Sequence, residues 1–187
     1  MASTTRSPRG PTDRERASRI ARATIDVLRQ GGLAGLTHRA VARQADVPLG
    51  STTYHYANRQ ELLEAAIRVG IAEFEELIAQ WAVGLDANNV ASRLATLIAT
   101  QSFPGEARDG ILVEYELYLA SARTVDLRPL SHQWDAVLRT VLEDRVGKSA
   151  GRVYFAAYVG LMFESLISDE PLDQAEVERI LGAIVPD

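Results

Sequence analysis

Leu36 to Leu63 reads LTHRAVARQADVPLGSTTYHYANRQELL. The spacing within this stretch predicts two short helices joined by a tight turn, with a longer helix starting at once. Thr37 is suited to cap the first helix, its side-chain oxygen accepting from an otherwise orphaned N–H of the first turn. Ala40, Val41 and Ala45 recur on one helical face, with Val47 just beyond. Asp46 falls at the turn. Pro48 suits the first position of a new helix because it has no N–H to leave unpaired there. That second helix, Pro48 to Tyr54 by pattern, carries Ser51, Thr52, Thr53 and Tyr54, with His55 following. A short hydroxyl-rich helix has little to contribute to an apolar core. Laid in the major groove of DNA, it puts its N-terminal residues at base edges and its hydroxyls on phosphates.

In order and spacing these residues resemble the DNA-binding domain of the TetR family of bacterial transcriptional regulators. In that family a Thr opens the second helix, an Ala-Gly-Val turn leads to a short recognition helix, and a Tyr-Tyr-His-Phe run precedes Lys and paired Leu. The matching residues are Thr37, Ala45-Asp46-Val47, Thr53-Tyr54-His55-Tyr56, Arg59 and Leu62-Leu63. Three positions depart from the pattern. Asp46 stands where Gly is usual, and Asp tolerates left-handed backbone less well than Gly but better than most residues. Thr53 replaces the first Tyr, so any contact that ring makes in relatives is lost. Pro48 replaces a frequent Ser and gives up a hydroxyl and an N–H that could hold a phosphate.

The overall net charge of −5 conceals a division. Residues 1–60 carry ten Arg against four acids, a net +6, whereas residues 61–187 carry ten Lys or Arg against 21 acids, a net −11. A basic end on an acidic body is what phosphate binding by that end requires, although solvated faces also differ in composition. The 187 residues are 47% apolar, enough for a core, and contain no cysteine, which excludes disulfides and thiolate metal sites. No apolar run approaches the ~18 residues of a membrane span, and no signal-like segment opens the chain. The expectation is a cytoplasmic protein.

Along the chain, residues 1–11 are Ser, Thr, Arg, Pro and Gly without an apolar face, and are expected to be a disordered basic tail. Arg6 and Arg9 either reach a minor groove or have no role. Thr12 and Glu15 have capping-box spacing and open a first helix that Gly31-Gly32 should end. Asn58 and Glu61 repeat the capping pattern, and apolar spacing from Leu62 through Phe74 to Trp81 predicts a long helix ending near Ala82. Five more helices are expected: Val90–Phe103, Gly110–Arg123, Pro129–Val146, Ser149–Ser168, and one from Asp173 to about Val185. No segment alternates as a strand does. The chain therefore reads as all-α: a helix-turn-helix DNA-binding domain over residues 12–57, joined by a long helix to a helical ligand-binding and dimerisation domain over residues 58–187.

Candidate DNA contacts are Thr37, His38, Pro48, Leu49, Gly50, Ser51, Thr52, Thr53, Tyr54, His55 and Arg59. Tyr54 and His55 match family positions for phosphate contact, though Tyr54 also fits a packing role. His38 faces either a phosphate or solvent. Leu49, Gly50, Thr52 and Thr53 are the base-edge candidates, small enough for methyl contacts and water-mediated readout. Arg59 near a helix start is placed for a phosphate. The resemblance implies a small-molecule pocket among the later helices. Phe74, Trp81, Phe103, Tyr115, Tyr118 and Phe163 are its candidate walls, from a wider set that includes Glu114, Trp134 and Met162. Each of these also fits an ordinary core. A small-residue stripe, Ala156, Ala157 and Gly160, with Trp134 as a further candidate, suits either a subunit interface or close packing within the chain.

No His-x-x-Glu-His, Gly-rich phosphate loop or cysteine nucleophile is present, and Glu114 and Glu116 point to different faces of one helix. No enzyme, cofactor or metal is expected. The expected partners are double-stranded DNA with a palindromic operator, a second copy of the chain and a small-molecule effector, with repression the expected sign. A ligand-independent regulator or activator is the alternative, with a helical enzyme behind it.

Overall fold

The computed structural model describes residues 11–102 and 106–184. The tail expected before Pro11, with Arg6 and Arg9, lies outside them, as do Phe103 and the expected helix end at Val185. Among the described residues the chain is all-α. Its helices are α1 (Pro11–Gly35), α2 (His38–Gln44), α3 (Leu49–His55), α4 (Arg59–Trp81), α5 (Val90–Gln101), α6 (Glu106–Arg123), α7 (Arg128–Val146), α8 (Lys148–Ser165) and α9 (Gln174–Gly182). A single 3₁₀ turn, Val125–Leu127, leads into α7. The described chain divides into two compact units inside α4, one ending at Ala66 and the other starting at Ile67.

In the first unit α1 packs on α2 and α3, and α2 on α3. The α1 stripe is buried as its spacing requires: Ile20, Ala21, Thr24, Val27 and Leu28. The Thr24 hydroxyl donates to the Ile20 carbonyl at 2.9 Å, so burying it leaves no unsatisfied donor. The helix breaks at Gly32 (φ 57, ψ −167), where Gly31-Gly32 is expected to end it, and a second helical stretch then carries the chain to Gly35. The start of α4 carries the expected capping box. Glu61 N–H donates to Asn58 Oδ1 at 3.0 Å, and Ala57 N–H donates to Glu61 Oε2 at 2.7 Å.

The second unit has one core, to which α4 contributes Phe74 and Ile78, α5 Leu94 and Ile98, α7 Leu138 and Leu142, α8 Tyr154 and Met162, and α9 Val177 and Leu181. Helix α7 pairs with α8 and α5 with α9. Gly147 (φ 84) separates α7 from α8 and turns the chain. A Cβ on Gly151 would lie 2.5 Å from the Glu143 Cα, so only glycine lets the start of α8 cross the end of α7 this closely. Several boundaries differ from expectation. Helix α6 starts upstream of Gly110 at Glu106, α5 ends at Gln101, and α8 ends at Ser165 rather than Ser168. Asp173 caps α9 through Ala175 N–H at 3.3 Å. No described helix is long and apolar enough to cross a membrane.

Candidate nucleic-acid interface and ligand cavity

Thr37 caps α2 as its position predicts, its Oγ1 accepting from Ala40 N–H at 3.1 Å. The helix then ends on a left-handed residue. Asp46 has φ 50, and the bonds around it form a Schellman closure: Val47 N–H to the Ala42 carbonyl at 3.0 Å and Asp46 N–H to the Arg43 carbonyl at 3.3 Å. This turn fixes where α3 begins. Pro48 (φ −59) is its N-cap rather than its first helical residue, and its carbonyl accepts from Ser51 N–H at 2.8 Å.

Helix α3 shows solvent only one side. Leu49, Gly50, Thr53 and Tyr54 are exposed, Tyr54 by 67%. Thr52 is fully buried and its hydroxyl donates to the Leu49 carbonyl at 2.8 Å, which corrects its assignment as a base-edge residue. His55 is corrected too. Its side chain is only 9% exposed, with Nε2 3.5 Å from Asp13 Oδ1 on α1, so it holds α3 to α1 instead of reaching outward. The neighbouring Tyr56 hydroxyl reinforces that attachment by donating to the Ala17 carbonyl at 3.1 Å. Both ring nitrogens of His38 are buried and make no hydrogen bond to a described residue. Arg59 stays exposed, with one guanidinium N–H donated to the Leu33 carbonyl.

In the second unit, α4, α6, α7 and α8 line a cavity that opens to solvent, and the about 520 Å³ of empty space within it includes that open solvent. Its walls are Phe74, Glu114, Tyr115, Tyr118, Trp134, Asp135, Phe155, Tyr158 and Val159. The three phenol hydroxyls are already engaged. Tyr115 donates to the Val159 carbonyl at 2.5 Å, Tyr158 to Gln101 Oε1 at 3.0 Å and Tyr118 to Asp135 Oδ2 at 3.4 Å. Burial, then the Glu114 and Tyr118 charges, pushes the Tyr115 phenol up to about 12. Burial, with Glu114 and Tyr115, raises Tyr158 as well. Both rings are therefore neutral at physiological pH. Burial also raises the Asp135 carboxyl above the ordinary range, opposed by the Tyr118 hydrogen bond and the charges of Arg139 and His132.

Residues 85–187 match the family model described as "Tetracyclin repressor-like, C-terminal domain". The chain belongs to the TetR family. Solved structures agree. The multidrug binding protein EbrR complexed with imidazole is 36% identical, with a TM-score of 0.80, over 92% of this chain and 96% of that one. EbrR has also been solved with ethidium, malachite green and proflavin. A TetR-family member from Streptomyces coelicolor A3 is 35% identical, with a TM-score of 0.77, over 92% of this chain and 99% of that one. No curated protein sequence matches the chain. Membership in the TetR family makes it a DNA-binding, ligand-responsive transcriptional regulator.

Within this TetR fold the sequence-predicted cavity residues separate. Phe74, Tyr115 and Tyr118 line the cavity; Trp81 and Phe163 do not. The Trp81 indole N–H donates to the Arg93 carbonyl at 3.1 Å, and Phe163 is 53% exposed, its ring 5.5 Å from that of Tyr115. Trp134, a candidate both for the cavity and for a subunit interface, is a cavity wall, with its ring 6.4 Å from that of Phe74. Ala157 packs on its own core, whereas Ala156 and Gly160 are exposed. The sequence does not mark Asp135, Phe155 or Tyr158 as cavity residues, and Val159 stands out there only as a flank of the small-residue stripe. Their available signal was helical spacing: 155, 158 and 159 share a face, as do 114, 115 and 118.

Proposed function

We propose that this TetR-family chain represses transcription by binding a palindromic operator as a homodimer, and that a small molecule in the second unit's cavity releases it. The observation that carries the reading is the continuity of α4. It is one helix from Arg59, at the helix-turn-helix, to Trp81, and it supplies the cavity wall Phe74 on the way. The exposed face of α3, Leu49, Gly50, Thr53 and Tyr54, reads the major groove. The dimer forms through α8, where Val153, Ala156, Gly160, Phe163 and, just past the helix, Ile167 are exposed at alternating spacings of three and four. That is the seam pattern of paired helices. EbrR, solved with malachite green, ethidium and proflavin, supports a small molecule as the effector.

In this reading DNA favours one disposition of the recognition helices and ligand another, so each weakens the other by the same factor. The test is selection against a random duplex library at fixed salt, followed by titration of the selected duplex with and without ethidium. An enriched palindrome, two chains per duplex and release by the dye are expected. An asymmetric site bound by one chain, or simultaneous binding of duplex and dye at undiminished affinity, would overturn the reading.

A further inference from the structure

Paired hydrogen bonds to a base edge come from Arg or Lys on guanine, Asn or Gln on adenine, and Asp or Glu on cytosine. None of those six residue types occurs in α3, which reads LGSTTYH. Of the side chains it does carry, Thr52 is buried, Ser51 is half-buried and His55 is held at Asp13. Thr53 is exposed, yet its hydroxyl proton goes to the Gly50 carbonyl at 3.3 Å, which leaves an oxygen that accepts but has nothing to donate. Tyr54 offers a single hydroxyl. Leu49 remains, a large apolar side chain that is 45% exposed although it belongs to a short polar helix. Gly50 stands next to it with a bare Cα. A Cβ there would meet nothing of the chain within 4 Å, and no left-handed φ calls for glycine at this position. Alanine would favour the helix, so the missing methyl leaves space for something outside the chain.

We infer that Leu49 is the residue that reads thymine: its side chain lies against the C5-methyl of one thymine in each half-site, and Gly50 gives the base edge room to come that close. This rests on α3 being the major-groove reader and adds the chemistry by which α3 discriminates. Of the four bases only thymine presents an apolar group in that groove; the others offer N–H donors and N or O acceptors. Against any of those, Leu49 would strip water from a polar atom and return no hydrogen bond. Against the methyl, two apolar surfaces leave water together. Approach needs no help from the bases, because residues 1–60 are net +6 and phosphate attraction holds the reader in place.

The test uses the full chain and the operator selected from the random library. Each dT is replaced in turn by dU, which lacks the C5-methyl and is otherwise the same base. One position per half-site should lose about fourfold in affinity, the worth of one buried methyl, and about fifteenfold when both half-sites carry the change. Leu49→Ala should bind the dT operator more weakly than the parent does and no longer distinguish it from the dU operator. Gly50→Ala should bind the dT operator at least about tenfold more weakly while melting no lower than the parent, since the added methyl crowds the base edge and favours the helix. In a selected operator, silence of dU at every position would overturn the inference alone. So would a dU effect of equal size in Leu49→Ala and the parent, or parental affinity in Gly50→Ala. If dU were silent and 7-deaza-dG, which lacks the N7 acceptor, abolished binding, an arginine such as the exposed Arg39 of α2 would be the reader instead. Failure to select any sequence would overturn the operator reading, and the inference with it.

Discussion

The indole of Trp134 stands against the bare backbone of Gly70: a Cβ at Gly70 would lie 2.5 Å from Cη2 and 2.9 Å from Cζ3. The helix that runs on from the helix-turn-helix thus touches a cavity wall without an intervening side chain. Gly70→Ala should force the ring toward the cavity and cost about 1–3 kcal/mol of stability, as overpacking does. Urea denaturation checks this. Trp134→Phe in the same chain should recover most of the loss, giving a double-mutant coupling that independent effects would lack.

Asp46 makes the left-handed closure of α2 with a Cβ that glycine would not carry. Asp46→Gly should stabilise the protein by about 0.5–1 kcal/mol, because the strain relieved exceeds the added chain entropy. A higher urea midpoint at unchanged slope is the expected result. A lower midpoint would mean that the Asp46 carboxylate contributes more than its backbone costs.

Thr52 and Thr53 are neighbours with opposite surroundings, one fully buried and one exposed. Thr52→Val should cost about 1 kcal/mol, through loss of the hydrogen bond to Leu49, and leave the selected sequence unchanged. Thr53→Val should leave stability within about 0.5 kcal/mol and alter the selected sequence. Tyr54→Ala should weaken binding to all duplexes alike. Library selection and thermal melting on the three variants separate these outcomes.

Gly160 is exposed, and a Cβ there meets nothing within 4 Å in its own chain. If the proposed pairing through α8 holds, Gly160→Glu should fold as a monomer and lose operator binding, because the added carboxylate would occupy that seam. Analytical ultracentrifugation gives the mass, and a variant that stays dimeric would move the interface elsewhere.

Asp135 links the cavity to pH. Burial is the largest influence on its carboxyl and raises it, so the folded chain holds this proton more tightly than the unfolded chain does. Its contribution to stability is complete below the unfolded carboxylate value and is lost as pH rises through the raised folded value. Asp135→Asn should accordingly raise the melting temperature near neutral pH, with the advantage shrinking as the solution is acidified below the ordinary carboxylate range. Melting curves across that range check the sign. A variant less stable than the parent at neutral pH would show that Arg139, His132 and Tyr118 together outweigh the desolvation.

The parts of the fold legible in the sequence are those whose signal is local. Thr37 with Ala40, and Asn58 with Glu61, are partners three residues apart, and such pairs announce helix starts before any tertiary contact exists. Which side of α3 faces inward is not local. It follows from Asp13 meeting His55 and from Tyr56 reaching Ala17, 39 residues upstream, and a seven-residue polar helix carries no apolar stripe to reveal its orientation. The same limit explains the exchange between Trp134 and Phe163. Both are aromatic residues on amphipathic helices, and only the absence of a side chain at Gly70, on a different helix, makes room for Trp134 at the cavity.

The capping box at Asn58 and Glu61 fixes where α4 starts, and the helix then runs unbroken past the division at Ala66–Ile67. The residues on either side of that division therefore share one helical backbone. A single residue inserted at that junction would shift the helical register of α4 beyond it by about 100°, whereas seven would return it to within about 20°. Exchange of sensor halves between related chains should obey the same arithmetic, with working hybrids recurring at whole-turn lengths of α4 and silent ones between them.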